Sequence, residues 1–280
     1  RLLTRAFKDG LSDFEARTTI RSAFAKTARE GASKDSSASS SQTSAPTKQA
    51  SFAGGGFKGR FKRSLPPFGS IAPVELPEPV RGGFRALMEA CFRPSEFVAI
   101  ADAGENEQGE VAPKRGVTLE QSAWLQRTEA KGGIDRCFST PLGLYIRLNP
   151  MQRDGARNED VTAFRHVLVE FDRTEEGDMI PKEVQLGIIV ASGLPVAALI
   201  DSGNKSLHAW VRVEARNAEE YRQRVDTVWA WLAGVPLDKQ NKNASRLSRC
   251  PEGWRTVDGE KRQQRLLALG FGAASWEAWA

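Results

Sequence analysis

Six residues constrain this chain more than any others: Val167-Leu168-Val169-Glu170-Phe171-Asp172, an apolar run that turns acidic where it ends. Side chains alternate along a strand, so Glu170 and Asp172 share one face at the edge where the strand leaves the core, and such a pair can share a cation. Val196 to Ile200 reads as a second strand and Ser206 to Val213 as a third. Between them Asp201-Ser202-Gly203-Asn204 is a turn, with Gly and Asn available for positive φ, which makes the pair a hairpin. In the third strand Leu207, Ala209, Val211 and Val213 alternate against Ser206, His208, Trp210 and Arg212. The spacing predicts one face in the core and the other at a site. An amphipathic helix over 218–232 follows, then Pro236-Leu237-Asp238 supplies a third carboxylate, and Lys239, Lys242, Arg246 and Arg249 form a basic arm.

The acidic pair at a strand end, Ser-x-His inside SGNKSLHAWV, and a hydrophobic-Asp step followed by NASRLSRCPEGWR stand in that order. Over Tyr145 to Arg255 this resembles the archaeo-eukaryotic primase superfamily, in particular the primase-polymerase domains of plasmids, phages and other mobile elements. The resemblance implies an α/β (α+β) fold, with an RRM-like catalytic core behind an irregular N-terminal module. It also implies template-directed nucleotidyl transfer on single-stranded DNA from nucleoside triphosphates, with a helicase domain fused or encoded nearby. Such chemistry uses two divalent ions to stabilise the attacking and leaving oxygens. Glu170, Asp172 and Asp238 are hard oxygen donors suited to Mg²⁺ or Mn²⁺ and are the expected catalytic, metal-holding set. By the same resemblance Ser206 and His208 contact the phosphates of the incoming nucleotide and Lys205 adds charge. Arg246 and Arg249 lie three apart, the spacing of one side of a helical turn, and one of them is assigned to the triphosphate or the template. His166, just before the acidic strand, reads as structural.

Two departures from the family pattern support an alternative, a primase-like module that binds nucleic acid without catalysis and recruits a helicase. Glu170 stands where many relatives carry Asp, and Asn204 where Gly is frequent. A metal-dependent nuclease is a third reading. Serine hydrolysis is disfavoured, because Ser206 lies two residues from His208 on one strand and no G-x-S-x-G elbow exists. A rolling-circle nuclease wants a second histidine where Trp210 stands, and a Walker A loop would need a glycine that SGNKS lacks.

With 280 residues, 40% of them hydrophobic, and seven Trp, the chain can bury one substantial core, in one lobe or two. Four parts are expected: a short helical segment (1–30), a Ser/Gly-rich basic linker (31–64), an N-terminal module (65–160) and the metal-bearing module (161–280). In the N-terminal module, helices are predicted near 84–91 and 119–131 and a strand over 143–150, with Arg147, Asn149, Arg153 and Arg157 as template contacts. Residues 264–279 read as a closing helix or as a lead into a further, downstream domain. Positive charge concentrates at the start: residues 1–63 hold 13 Lys and Arg against 5 Asp and Glu, and the remainder 27 against 30. There Phe57, Arg60, Phe61, Lys62 and Arg63 interleave aromatics with cations, a pattern able to grip single strands. No run of eighteen apolar residues exists, so no membrane is implied. A start without Met or signal peptide suggests a piece of a longer protein, and Cys91, Cys137 and Cys250 match no disulfide or zinc framework, which makes a reducing cytoplasm the expectation.

Overall fold

The computed structural model describes residues 64–105, 111–114, 116–138 and 142–280. The expected helical segment, most of the linker and the aromatic-cation stretch at 57–63 lie outside the described residues. Two antiparallel sheets organise the rest. In the first, β1 (Phe97–Glu105) pairs with β2 (Val111–Pro113), β3 (Val117–Glu120) and β4 (Leu144–Arg147). The second has the order β11-β6-β7-β5, from β5 (Phe164–Glu170), β6 (Val196–Asp201), β7 (Leu207–Ala215) and β11 (Arg265–Phe271). This mixed architecture is the expected fold class.

The second sheet is apolar on both faces, and the alternation along its strands shows why. Val167, Val169, Leu207, Ala209, Val211 and Val213 enter one core with Leu186, Ile188 and Ile189 of α3 (Lys182–Ser192) and Tyr221, Val225 and Val228 of α4 (Ala218–Trp231). Leu168, Ala198, Ile200 and Trp210 enter a second core with Val98, Ile100 and Ile146 of the first sheet. Phe84, Leu87 and Met88 of α1 (Gly83–Cys91) and Trp124 of α2 (Gln121–Lys131) complete it. The face that sequence assigns to a site is therefore covered along most of its length. Its end, at Glu170, Ser206 and His208, is polar.

After α4 the chain returns to the first sheet, where β8 (Leu247–Arg249) pairs with β4, Ser248 opposite Ile146. A hairpin follows, β9 (Trp254–Val257) and β10 (Glu260–Gln263). Its turn, Asp258-Gly259, has φ of 52° and 79°, the two positive values that a tight primed turn demands. β11 then joins β6 at the edge of the second sheet, and α5 (Trp276–Trp279) closes the chain. The helix expected over 264–279 is thus mostly a strand. The Leu266–Phe271 run is short and apolar, a pattern whose periodicity alone does not separate strand from helix. The expected helix near 119–131 begins at Gln121, because Val117–Glu120 pairs with β1. Among the described residues, no helix is long and apolar enough to cross a membrane.

Candidate functional site

Glu170 is the last residue of β5, paired directly with His208 of β7. Its Oε1 accepts a hydrogen bond from Ser206 Oγ at 2.8 Å and lies 3.3 Å from His208 Nε2, while Oε2 accepts from Asn241 Nδ2 at 3.4 Å. Burial alone would raise this carboxyl. The His208 ring and the hydrogen bonds from His208, Ser206 and Asn241 outweigh it and bring the group down to about 2. On its other side His208 Nδ1 accepts from the backbone N–H of Arg249 at 3.3 Å and sits 3.0 Å from Ser248 Oγ. Ser248 Oγ in turn accepts from Trp210 Nε1 at 2.8 Å, which leaves its own hydrogen for Nδ1. In the neutral ring these contacts place its hydrogen on Nε2, the atom facing Glu170.

Two backbone hydrogen bonds bring the third acid to the first two. Asp238 N–H donates to Glu170 O at 3.0 Å and Asp172 N–H to Pro236 O at 2.9 Å, so Phe171 and Leu237 face each other as an antiparallel bridge. Residues opposite one another in such a ladder share a face, and Glu170, Asp172 and Asp238 therefore project to the same side while Phe171 and Leu237 are buried below. Their carboxylates are differently engaged. Asp172 is exposed and accepts from the N–H of Arg173, whereas Asp238 accepts from Gln240 N–H and, at 3.3 Å, from Arg246 Nη2. Among the described residues no three His, Cys, Asp or Glu side chains are gathered as ligands of an ion. Glu170, Asp172 and Asp238 are hard oxygen donors of the type such a cation takes, but their side chains are not gathered around one point.

Opposite the acids lie two arginines. Arg249 stacks its guanidinium on Tyr145, 4.0 Å from the ring centroid, and Arg255 pairs with Leu142. Arg249 Nη1 and Arg255 Nε are buried without a hydrogen-bond partner among the described residues. Burial pulls Arg249 down to about 10, against the pull of Tyr145 and Glu170, and lowers Arg255 for the same first reason. A buried guanidinium with an unspent N–H suits an anionic oxygen. Close packing here depends on Gly143, at φ 126°, where a Cβ would come within 2.8 Å of Arg249 Nη1.

Of the residues singled out in sequence, Glu170, Ser206 and His208 meet in one cluster, and Arg249 adjoins it through its backbone N–H to His208. Asp172 and Asp238 join it by backbone pairing. Lys205 is exposed on the β6–β7 turn, its carbonyl held by Gln185 Nε2 at 2.9 Å. Arg246 and Arg249 do not share a helical turn: Arg249 belongs to β8, and Arg246 precedes that strand and pairs with Asp238. Asn149 is no template contact. It is buried, its Nδ2 donates to His166 O and Ala244 O, and its Oδ1 accepts from Arg165 N–H and His166 N–H. Arg147 is bonded to Ser245 O, while Arg153 and Arg157 are exposed. Sequence reasoning missed Asn241, Ser248, Arg255 and Tyr145, whose roles arise only when β8 crosses to the first sheet. The one signal available was the density of Asn, Ser and Arg after Asp238.

No protein-family profile and no curated protein matches the sequence. Solved structures similar to this one include the catalytic domain of primase RepB′ in complex with initiator DNA, at 17% identity and a TM-score of 0.44, covering 67% of this chain and 85% of that one. A second structure of primase RepB′ matches at 17% identity and TM-score 0.42, over 67% of this chain and 56% of that one. The AEP domain of the cyanophage S-2L primase-polymerase matches at 19% identity and TM-score 0.39, over 69% and 92%.

Proposed function

We propose that this chain is a template-directed nucleotidyltransferase, a DNA primase or primase-polymerase that joins nucleoside triphosphates on a single-stranded DNA template during replication of a mobile element. The observation that carries the reading is the backbone pairing of Glu170 with Asp238, which sets three acids on one face beside the Ser206 and His208 donors. Glu170, Asp172 and Asp238 would hold Mg²⁺ or Mn²⁺, whose chemistry is Lewis-acid stabilisation of the oxygens exchanging at an α-phosphate. Ser206 O–H and His208 Nε2–H, both engaged with Glu170 Oε1, would turn to phosphate oxygens where Glu170 holds a cation. Lys205 contributes charge from the exposed turn, and the unspent N–H groups of Arg249 and Arg255 bind the far phosphates. Rigid placement on paired strands keeps these groups within the small tolerances such positioning needs. A helicase partner would supply the single strand.

One observation favours the second reading, a primase-like module that binds nucleic acid and recruits a helicase: both oxygens of Glu170 already have donors within the protein. The two readings separate in one experiment. Incorporation of labelled nucleotide on a single-stranded template, with Mg²⁺ or Mn²⁺, is expected to fall about a hundredfold or more in Asp172→Ala and Asp238→Ala, the equivalent of several kcal/mol of lost stabilisation. Undiminished incorporation in both variants sinks the polymerase reading. DNA binding that needs no metal, with no incorporation by the parent, selects the binding module.

A further inference from the structure

The β9–β10 hairpin stands between two clefts, and it carries one of the few large apolar side chains left in water. Trp254 is 39% exposed, and it lines a cleft of about 450 Å³ together with Arg81, Arg136 and Arg265, three cations against the two carboxylates of Asp135 and Glu252. Arg81 and Arg136 are exposed and form no ion pair among the described residues. On the other side of the hairpin a second cleft, about 370 Å³, is lined by Lys182, Arg262 and Arg265. Its carboxylate, Asp201, is buried and spent on Lys182 at 2.6 Å and Arg265 at 2.7 Å. Residues 64–280 carry more acid than base, so this concentration of arginine and lysine around one hairpin runs against the charge of the body that bears it.

We infer that the β9–β10 hairpin is a single-strand clamp: Trp254 stacks a base in the larger cleft, while Arg81 and Arg136 take the flanking phosphates. An exposed indole among guanidinium groups meets both needs of sequence-tolerant single-strand binding, a π-face for the base and cations for the backbone. The Gly132-Gly133 pair of the same cleft is backed by the side chains of Arg136 and Asp135, which come within 3.3 Å and 2.5 Å of where a Cβ at each glycine would stand. Arg265 and Gln263 border both clefts, which gives the positive track more length than one free nucleotide would occupy. The residue after Trp254 is Arg255, whose guanidinium lies in the candidate site, so a strand held here is delivered to the acids. This inference rests on the polymerase reading for the meaning of that delivery, but the binding itself does not depend on it.

The test is fluorescence anisotropy of a labelled oligo(dT) with the whole chain, titrated across salt concentrations without triphosphate. Trp254→Ala is expected to weaken binding about tenfold, with Trp254→Phe restoring most of the loss, because stacking needs an aromatic face and not the indole as such. Trp254→Ala should leave the slope of log affinity against log salt unchanged, while Arg136→Ala lowers it by roughly 0.7, one phosphate contact on a single strand. Trp254 is 39% exposed and so partly packed, and thermal melting of both Trp254 variants separates a folding defect from loss of the stacking face. Parental affinity in folded Trp254→Ala overturns the inference, as does a defect that Trp254→Phe shares in full. Asp172→Ala should bind the oligonucleotide like the parent even where incorporation is lost, so failure of the clamp and failure of the polymerase reading are distinguishable.

Discussion

His166 and His208 lie on adjacent strands and do opposite things. His166 is buried against Trp210, its Nδ1–H donates to Leu148 O at 3.0 Å, and burial holds it down at about 4. An unfolded histidine titrates near 6.5, so acidification protonates the unfolded chain first. The sign follows: stability is full above pH 6.5 and is lost progressively as the pH falls to about 4, by about 3 kcal/mol in all. Urea midpoints measured across that window should show this slope, and His166→Asn, which keeps a donor and loses the titration, should flatten it. The contribution of Glu170 lies lower, between about 4.5 and 2, and is likewise lost on acidification. The sequence reads His166 as structural, and it is buried on Leu148 and Trp210; it reads His208 with Ser206, and the two meet at Glu170. It misassigned Asn149, because a polar residue after a strand reads alike whether it meets solvent or ties four backbone groups together.

At the scale of elements, β5, β6, β7, α1 and α4 were legible because each buries a face and the period of its apolar residues is therefore visible. β8 and β11 were not. β8 is three residues long and its sequence, Leu-Ser-Arg, acquires strand character only from β4 beside it. Close packing is equally invisible in a sequence. Gly187 lies inside α3, where a Cβ would come within 2.2 Å of Ala72 O, and Val74 N–H donates to Glu183 O at 2.8 Å from the same segment. Gly187→Ala would add about 1 kcal/mol of helix propensity to α3. Overpacking against backbone costs about 1–3 kcal/mol or more and wins, since main chain yields less readily than a side chain. The expected result is a lower melting temperature, with limited proteolysis showing earlier cleavage between residues 66 and 80 as that segment lifts from the helix.

For the molecule as a whole, the join between the sheets includes a buried polar contact at Ser248, which serves Trp210 and His208 from the opposite sheet. Ser248→Ala leaves the buried Trp210 N–H without its acceptor, at a cost of about 1–3 kcal/mol. Chemical denaturation followed by tryptophan fluorescence and by far-ultraviolet circular dichroism should register that loss in one shared transition. The polypeptide visits the sheets in alternation: first sheet, second sheet, back for β8, and across again for β11. The sequence boundary expected near residue 160 runs through this exchange. Recombination there would strip one partner of its edge strand and give the other a strand with no neighbour. Inheritance should therefore treat 64–280 as one indivisible block, and lineages that shuffle flanking modules should do so outside it.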